Sequence, residues 1–148
     1  MSELFELFYL SKNTFGGWVT YTAHLYRALE KVGLNPHLYK VTKRTESTTR
    51  DFGYGLRYKN TGMQGVAKIP LVDPCLIVAV QKNFYGQAIQ LLEKGAYITI
   101  HDPTELRNKE FAEVIHRYED HVIVIRKSML KYLPRATFIP SLCALLQG

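Results

Sequence analysis

The stretch LFELFYLSKNTFGGWVTYTAHLYRALEKVG, residues 4–33, decides how this chain is built. Its first seven residues form an apolar run that stops at the turn-prone SKNTFGG, as a buried strand does. From Trp18 onward the apolar positions Trp18, Tyr21, Leu25, Ala28, Leu29 and Val32 recur at helical spacing, and Gly33 stands where a helix is expected to end. The order is therefore strand, glycine loop, helix. The doublet Gly16-Gly17 at the helix entrance has two explanations: the chain needs a tight corner there, or a ligand must approach the bare backbone.

The same alternation continues outward. Pro36 precedes HLYKV (37–41), a second strand, and CLIVAV (75–80) is a third. QKNFYGQAIQLLEKG (81–95) sets Phe84, Ala88, Leu91 and Leu92 on one helical face, and AYITI (96–100) reads as a strand. RNKEFAEVIHRYED (107–120) repeats the helical pattern through Phe111, Val114, Ile115 and Tyr118, followed by the strand HVIVI (121–125). KSMLKYL (127–133) makes a short helix before ATFI (136–139). Strands with continuous apolar runs are buried on both faces, and helices between them supply the crossovers that parallel pairing needs. The expectation is a single Rossmann-like α/β domain over 1–148, doubly wound, with a mainly parallel sheet and helices on both faces. Residues 43–74, rich in Thr, Gly and basic side chains and without helical period, read as an insertion with a hairpin through FGYGLRY (52–58).

Composition agrees with a globular domain: 47% of the 148 residues are apolar and 22% charged, too few charges and too many apolar groups for a disordered chain. No apolar stretch approaches the roughly 20 residues of a membrane span. MSELFEL carries acids where a secretory signal carries bases, so a cytoplasmic location is expected. Cys75 and Cys143 are too few for a disulfide framework and are expected to be reduced, and no Cys or His pair has the spacing of a metal site. The net charge of +6 favours an acidic partner; nucleic acid, nucleotide phosphate and anionic membrane all qualify.

In an open parallel sheet ligands bind beyond the carboxyl ends of the strands. That rule selects Ser11, Asn13, Thr14, Phe15, Gly16 and Gly17 after the first strand, Gln81, Lys82 and Asn83 after CLIVAV, and His101 to Glu105 after AYITI. Bare backbone at a helix start suits phosphate, because unpaired N–H groups and the helix dipole converge there. His101 ends an apolar strand, where an imidazole can donate to a sugar hydroxyl or phosphate, act as a base, or simply cap the strand. Asp102 fits the N-cap of the turn PTEL. No Ser/His/Asp or Cys/His constellation is legible. In the insertion, Lys43, Arg44, Arg50, Arg57 and Lys59 interleave with Phe52, Tyr54 and Tyr58. Such a mixture stacks bases and neutralises phosphates; a packed hairpin with solvated cations explains the same pattern.

Taken in order, FGGWVTYTAHLYRALEKVGLNPHLYKV, ITIHDPTEL and HVIVIRKSMLKYLP with ATFIP resemble the N-terminal domain of GT-B glycosyltransferases, a class that includes viral DNA-modifying enzymes. The resemblance covers the chain except the basic insertion. It implies a nucleotide-sugar donor held in a cleft between two Rossmann-like domains, with the N-terminal one binding the acceptor. By that analogy Gly16 and Gly17, with Asn13 and Thr14 beside them, lie near the donor diphosphate, and His101 near the transferred sugar. A complete enzyme of this kind needs a second domain or chain. Two readings follow: the acceptor-side half of a glycosyltransferase, with the basic insertion touching an acceptor such as DNA, or a non-catalytic module that binds nucleic acid or an acidic protein through its positive surface.

Overall fold

The computed structural model describes residues 4–12, 16–42, 49–62 and 74–140. Along the chain lie β1 (Leu4–Leu10), α1 (Gly17–Lys31), β2 (Asn35–Thr42), β3 (Thr49–Gly53), β4 (Leu56–Gly62), β5 (Cys75–Val80), α2 (Tyr85–Glu93), β6 (Tyr97–Ile100), α3 (Lys109–Arg117), β7 (Val122–Val124) and β8 (Thr137–Phe138). The strands form one sheet in the order β3-β4-β2-β1-β5-β6-β7-β8. All neighbours are parallel except β3 and β4.

The apolar runs are continuous because both faces are covered. Leu7, Tyr9, Leu76 and Val78 point to one side, where they meet Val19 and Ala23 of α1. Phe8, Leu10, Ile77, Ile98 and Ile100 point to the other, against Ala88, Leu91 and Leu92 of α2 and Phe111, Val114 and Ile115 of α3. From β1 the chain winds outward to β2, and from β5 it winds the opposite way through β6, β7 and β8, so the winding reverses between β1 and β5. A doubly wound sheet opens its ligand crevice at that reversal.

Three details differ from the sequence reading. Val32 is 74% exposed, and the buried stripe of α1 is Val19, Thr22 and Ala23. Thr22 can lie inside because its hydroxyl donates to the Trp18 carbonyl at 2.8 Å, while Val32 falls beyond the last helical residue and no longer follows the helical period. The short helix read in KSMLKYL is a 3-10 helix confined to Lys127–Lys131. β2 begins at Asn35 and includes Pro36, which its register allows: β4 joins β2 only from Tyr39 onward, so no ladder on that side is broken by the missing N–H.

The described part of the insertion is the hairpin β3–β4, joined in parallel to β2. Two of its three aromatics are core residues: Phe52 and Tyr58 are buried while Tyr54 at the tip is exposed, and Phe52 meets Tyr9 edge-on with centroids 4.9 Å apart. The turn residues Tyr54 and Gly55 both have positive φ, 56° and 75°, the geometry whose twist matches a two-residue hairpin. Tyr54 Oη lies 2.9 Å from Thr20 Oγ1, and Arg27 Nη2 donates to the Tyr54 carbonyl at 3.2 Å, tying the tip to α1. Gly55→Ala places an L side chain in this left-handed turn, with its Cβ 3.3 Å from Arg27 Nη2. The long Arg27 side chain can move aside, so the backbone conformation sets the cost, and urea unfolding should register a loss of about 1–2 kcal/mol. No helix among the described residues is long and apolar enough to cross a membrane.

Candidate functional site

Gln81 joins the loops at the reversal point. Its Oε1 accepts from Ser11 Oγ at 3.2 Å and from the Lys12 N–H at 3.0 Å, while its own N–H donates to the Leu10 carbonyl at 2.8 Å. The ends of β1 and β5 are thereby held together as the floor of a crevice. Beneath them lies Lys40, a lysine only 4% exposed. β2 turns its side chain inward under the hairpin, where Nζ donates to the Lys12 carbonyl at 3.3 Å and sits 5.9 Å from the Tyr58 ring. Burial lowers its pKa.

On one side of this floor α1 begins. Gly16 has φ 97° and ψ −173°, a region essentially reserved for glycine. No side chain caps the helix and its first turn contains no acid, so its leading N–H groups and the positive end of its dipole are uncompensated by the helix's own side chains. A Cβ built on Gly16 or Gly17 would meet nothing within 4 Å among the described residues. Asn13 and Thr14 lie outside the described residues.

His101 reaches this helix start from the end of β6. Its ring packs against Tyr21, edge-on at 4.9 Å between centroids, and against Trp18 at 6.0 Å, both in the opening turns of α1. Nε2 lies 2.7 Å from the Val78 carbonyl, an acceptor, so this nitrogen carries the proton. Burial depresses the pKa, opposed by the Val78 bond and reinforced by the nearby Arg126 charge. The imidazole is therefore neutral at pH 7, which leaves Nδ1 as an acceptor with no hydrogen bond to a described residue. Although only 7% exposed, it forms part of the wall that links β5, β6 and α1.

The turn after His101 is fixed by Glu105, whose Oε2 accepts from the N–H of His101 at 2.6 Å and of Asp102 at 2.8 Å. Asp102 in turn accepts from the Thr104 N–H at 2.9 Å, completing a capping box. Burial raises the Glu105 pKa to about 7 against the two backbone bonds that lower it, and the Asp102 charge adds to the rise. The spacing Asp-Pro-Thr-Glu, an acceptor followed three residues later by an acid, carries this arrangement in the sequence.

The structure thus brings Gly16, Gly17 and His101 to one crevice. Arg57 and Lys59 are not beside them: both are exposed on β4, two strands from β1, and Lys59 Nζ lies 5.9 Å from the Tyr39 ring. Only the backbone of Arg50 is described, and Lys43 and Arg44 lie outside the described residues. The carboxyl edge of the sheet carries further cations: Lys12 after β1, Lys82 after β5, Arg107 after β6, and Arg126 and Lys127 after β7, of which only the last two stand together in the sequence. The others come from separate places along the chain, and only the topology assembles them.

No family model matches the sequence, and no curated protein matches it. Among solved structures, an alpha-glucosyltransferase in complex with UDP and a 13-mer DNA containing a HMU base aligns over 95% of this chain and 42% of its own, with a TM-score of 0.57 and 16% identity. An alpha-glucosyltransferase in complex with UDP aligns over 93% of this chain and 40% of its own, with a TM-score of 0.53 and 15% identity. The chain spans about two fifths of the length of these structures. The doubly wound sheet is a fold shared with these two structures, and the Rossmann-like architecture read from the sequence is borne out.

Proposed function

We propose that this chain is the acceptor-side domain of a nucleotide-sugar-dependent glycosyltransferase that modifies DNA. The observation that carries this reading is the convergence of an uncapped, glycine-led helix start with a buried neutral histidine at the reversal of the sheet. Transfer of a sugar leaves a diphosphate behind, and fixed N–H dipoles aimed at that charge lower the barrier without having to reorganise. The start of α1 supplies such dipoles. His101 Nδ1 accepts a hydrogen bond from a hydroxyl of the transferred sugar and so orients it against the acceptor. The remaining donor contacts come from a second domain or chain, as the two-fifths coverage of the glucosyltransferases supports. UDP and DNA, bound by those proteins, are the corresponding ligand classes here.

Isothermal titration calorimetry with UDP and UDP-glucose tests the reading. Weak saturable binding of both, with UDP-glucose blocked by prior saturation with UDP, is the expected result. Heat of dilution alone up to millimolar ligand would remove the donor site from this domain. DNA binding that persists in that case would leave the chain as a non-catalytic nucleic-acid module.

A further inference from the structure

A groove runs along the carboxyl edge of the sheet beside the crevice, between the loops that follow β5 and β6. A cavity of about 360 Å³ is lined by Lys82, Tyr85, Thr104, Arg107 and Asn108. It continues along the start of α2 and α3 into a second cavity of about 310 Å³, where Glu110 stands. Lys82 and Arg107 are exposed, and neither forms a salt bridge with a described residue. Two acids lie nearby: Asp102 is 3.9 Å from Arg126 and also feels the Arg107 charge, and Glu110 lines the second cavity, which Lys82 shares, so the two cations are only partly offset. Thr104, Asn108 and Tyr85 add neutral polar groups between the two cations, and no side chain caps the start of α2.

We infer that Lys82 and Arg107 form a seat for successive backbone phosphates of a DNA strand, guiding the acceptor past the crevice. This rests on the proposed function and deepens it. Two cations held on neighbouring loops, with neutral donors between them, read charge and spacing rather than base identity, so the seat positions the strand without selecting its sequence. It also moves the acceptor contact away from the basic hairpin to the edge where His101 and the glycine doublet lie.

The test is a salt titration of binding to a short end-labelled duplex of random sequence. Removing one phosphate-neutralising cation makes the dependence of log affinity on log salt shallower by about 0.9, so the double variant Lys82→Gln/Arg107→Gln should reduce the wild-type slope by about 1.8. The control Lys31→Gln/Lys94→Gln removes the same charge at the ends of α1 and α2, on the opposite edge of the sheet, and should keep the wild-type slope. Melting curves of both variants should match the wild type, since all four side chains are exposed. If the wild type binds no DNA even at low salt, the proposed function fails together with this seat. If the wild type binds but the Lys82/Arg107 variant keeps its slope, or both variants reduce the slope equally, only the seat is overturned.

Discussion

Replacing Glu105 with glutamine should remove a loss of roughly 3 kcal/mol in folding stability that the wild type suffers as pH rises from 4.5 to about 7. The lift of this buried carboxyl from its ordinary value of 4.5 to about 7 is worth that much at about 1.4 kcal/mol for each tenfold change. The sign follows from proton binding. Within the window the unfolded chain has released the proton while the folded chain still holds it, so each step up in pH favours unfolding. Below 4.5 both states are protonated; above about 7 both are ionised, and the penalty is complete. Glutamine keeps a carbonyl oxygen to accept from the His101 and Asp102 N–H groups but has nothing to ionise. Asp102 and Glu119, whose pKa values are depressed in the fold, act in the opposite direction at lower pH and are present in both proteins. Urea unfolding across pH 4–8 should therefore give wild-type and variant curves that diverge by pH 7. Parallel curves would mean that Glu105 is ionised throughout, with its two backbone bonds outweighing burial.

Gly17→Val should lower UDP affinity more than tenfold while leaving the fold as stable as before, within about 0.5 kcal/mol. The second half of that expectation comes from local geometry. Gly17 is the first helical residue, its Cβ position has no neighbour within 4 Å among the described residues, and valine is a slightly better helix former than glycine. The first half comes from what would fill that same position: two methyl groups would occupy the volume in front of the helix N–H groups where the diphosphate is proposed to sit. Gly16 is the poorer probe. Its conformation would cost any L residue about 1–3 kcal/mol in folding stability, so a binding loss there would be confounded with a folding defect. Calorimetry with UDP, paired with urea unfolding of the same preparations, separates the two effects. Unchanged affinity in Gly17→Val would reduce the doublet to a corner of the chain.

Much of the fold could be read from sequence because the chain alternates apolar strands with helices whose apolar faces keep their period. CLIVAV is β5 from its first residue to its last, and Phe84, Ala88, Leu91 and Leu92 are all buried as their spacing required. What the pattern could not show was burial that depends on a partner that apolar counting does not see. Thr22 lies inside because its hydroxyl returns to the preceding turn, and Lys40 lies inside because a carbonyl and an aromatic ring receive its ammonium. The hairpin tip was equally opaque, since the left-handed Tyr54 is held by Thr20 and Arg27 from a helix far earlier in the chain. At the site, the strand-end rule selected the glycine doublet and His101. What it lacked was their meeting through Trp18 and Tyr21, a contact made by the crossover rather than by any motif. The Lys82–Arg107 groove was hidden for the same reason: its two cations lie on loops separated in sequence by a whole helix and strand.

The most direct check on the central claim is an amide-resolved NMR titration of the nitrogen-labelled chain with UDP. If the start of α1 receives the diphosphate, the amide signals of Gly17 and Trp18 and the indole signal of Trp18 move first and furthest, saturating together. Saturation elsewhere in the protein while those signals stay fixed would contradict the account.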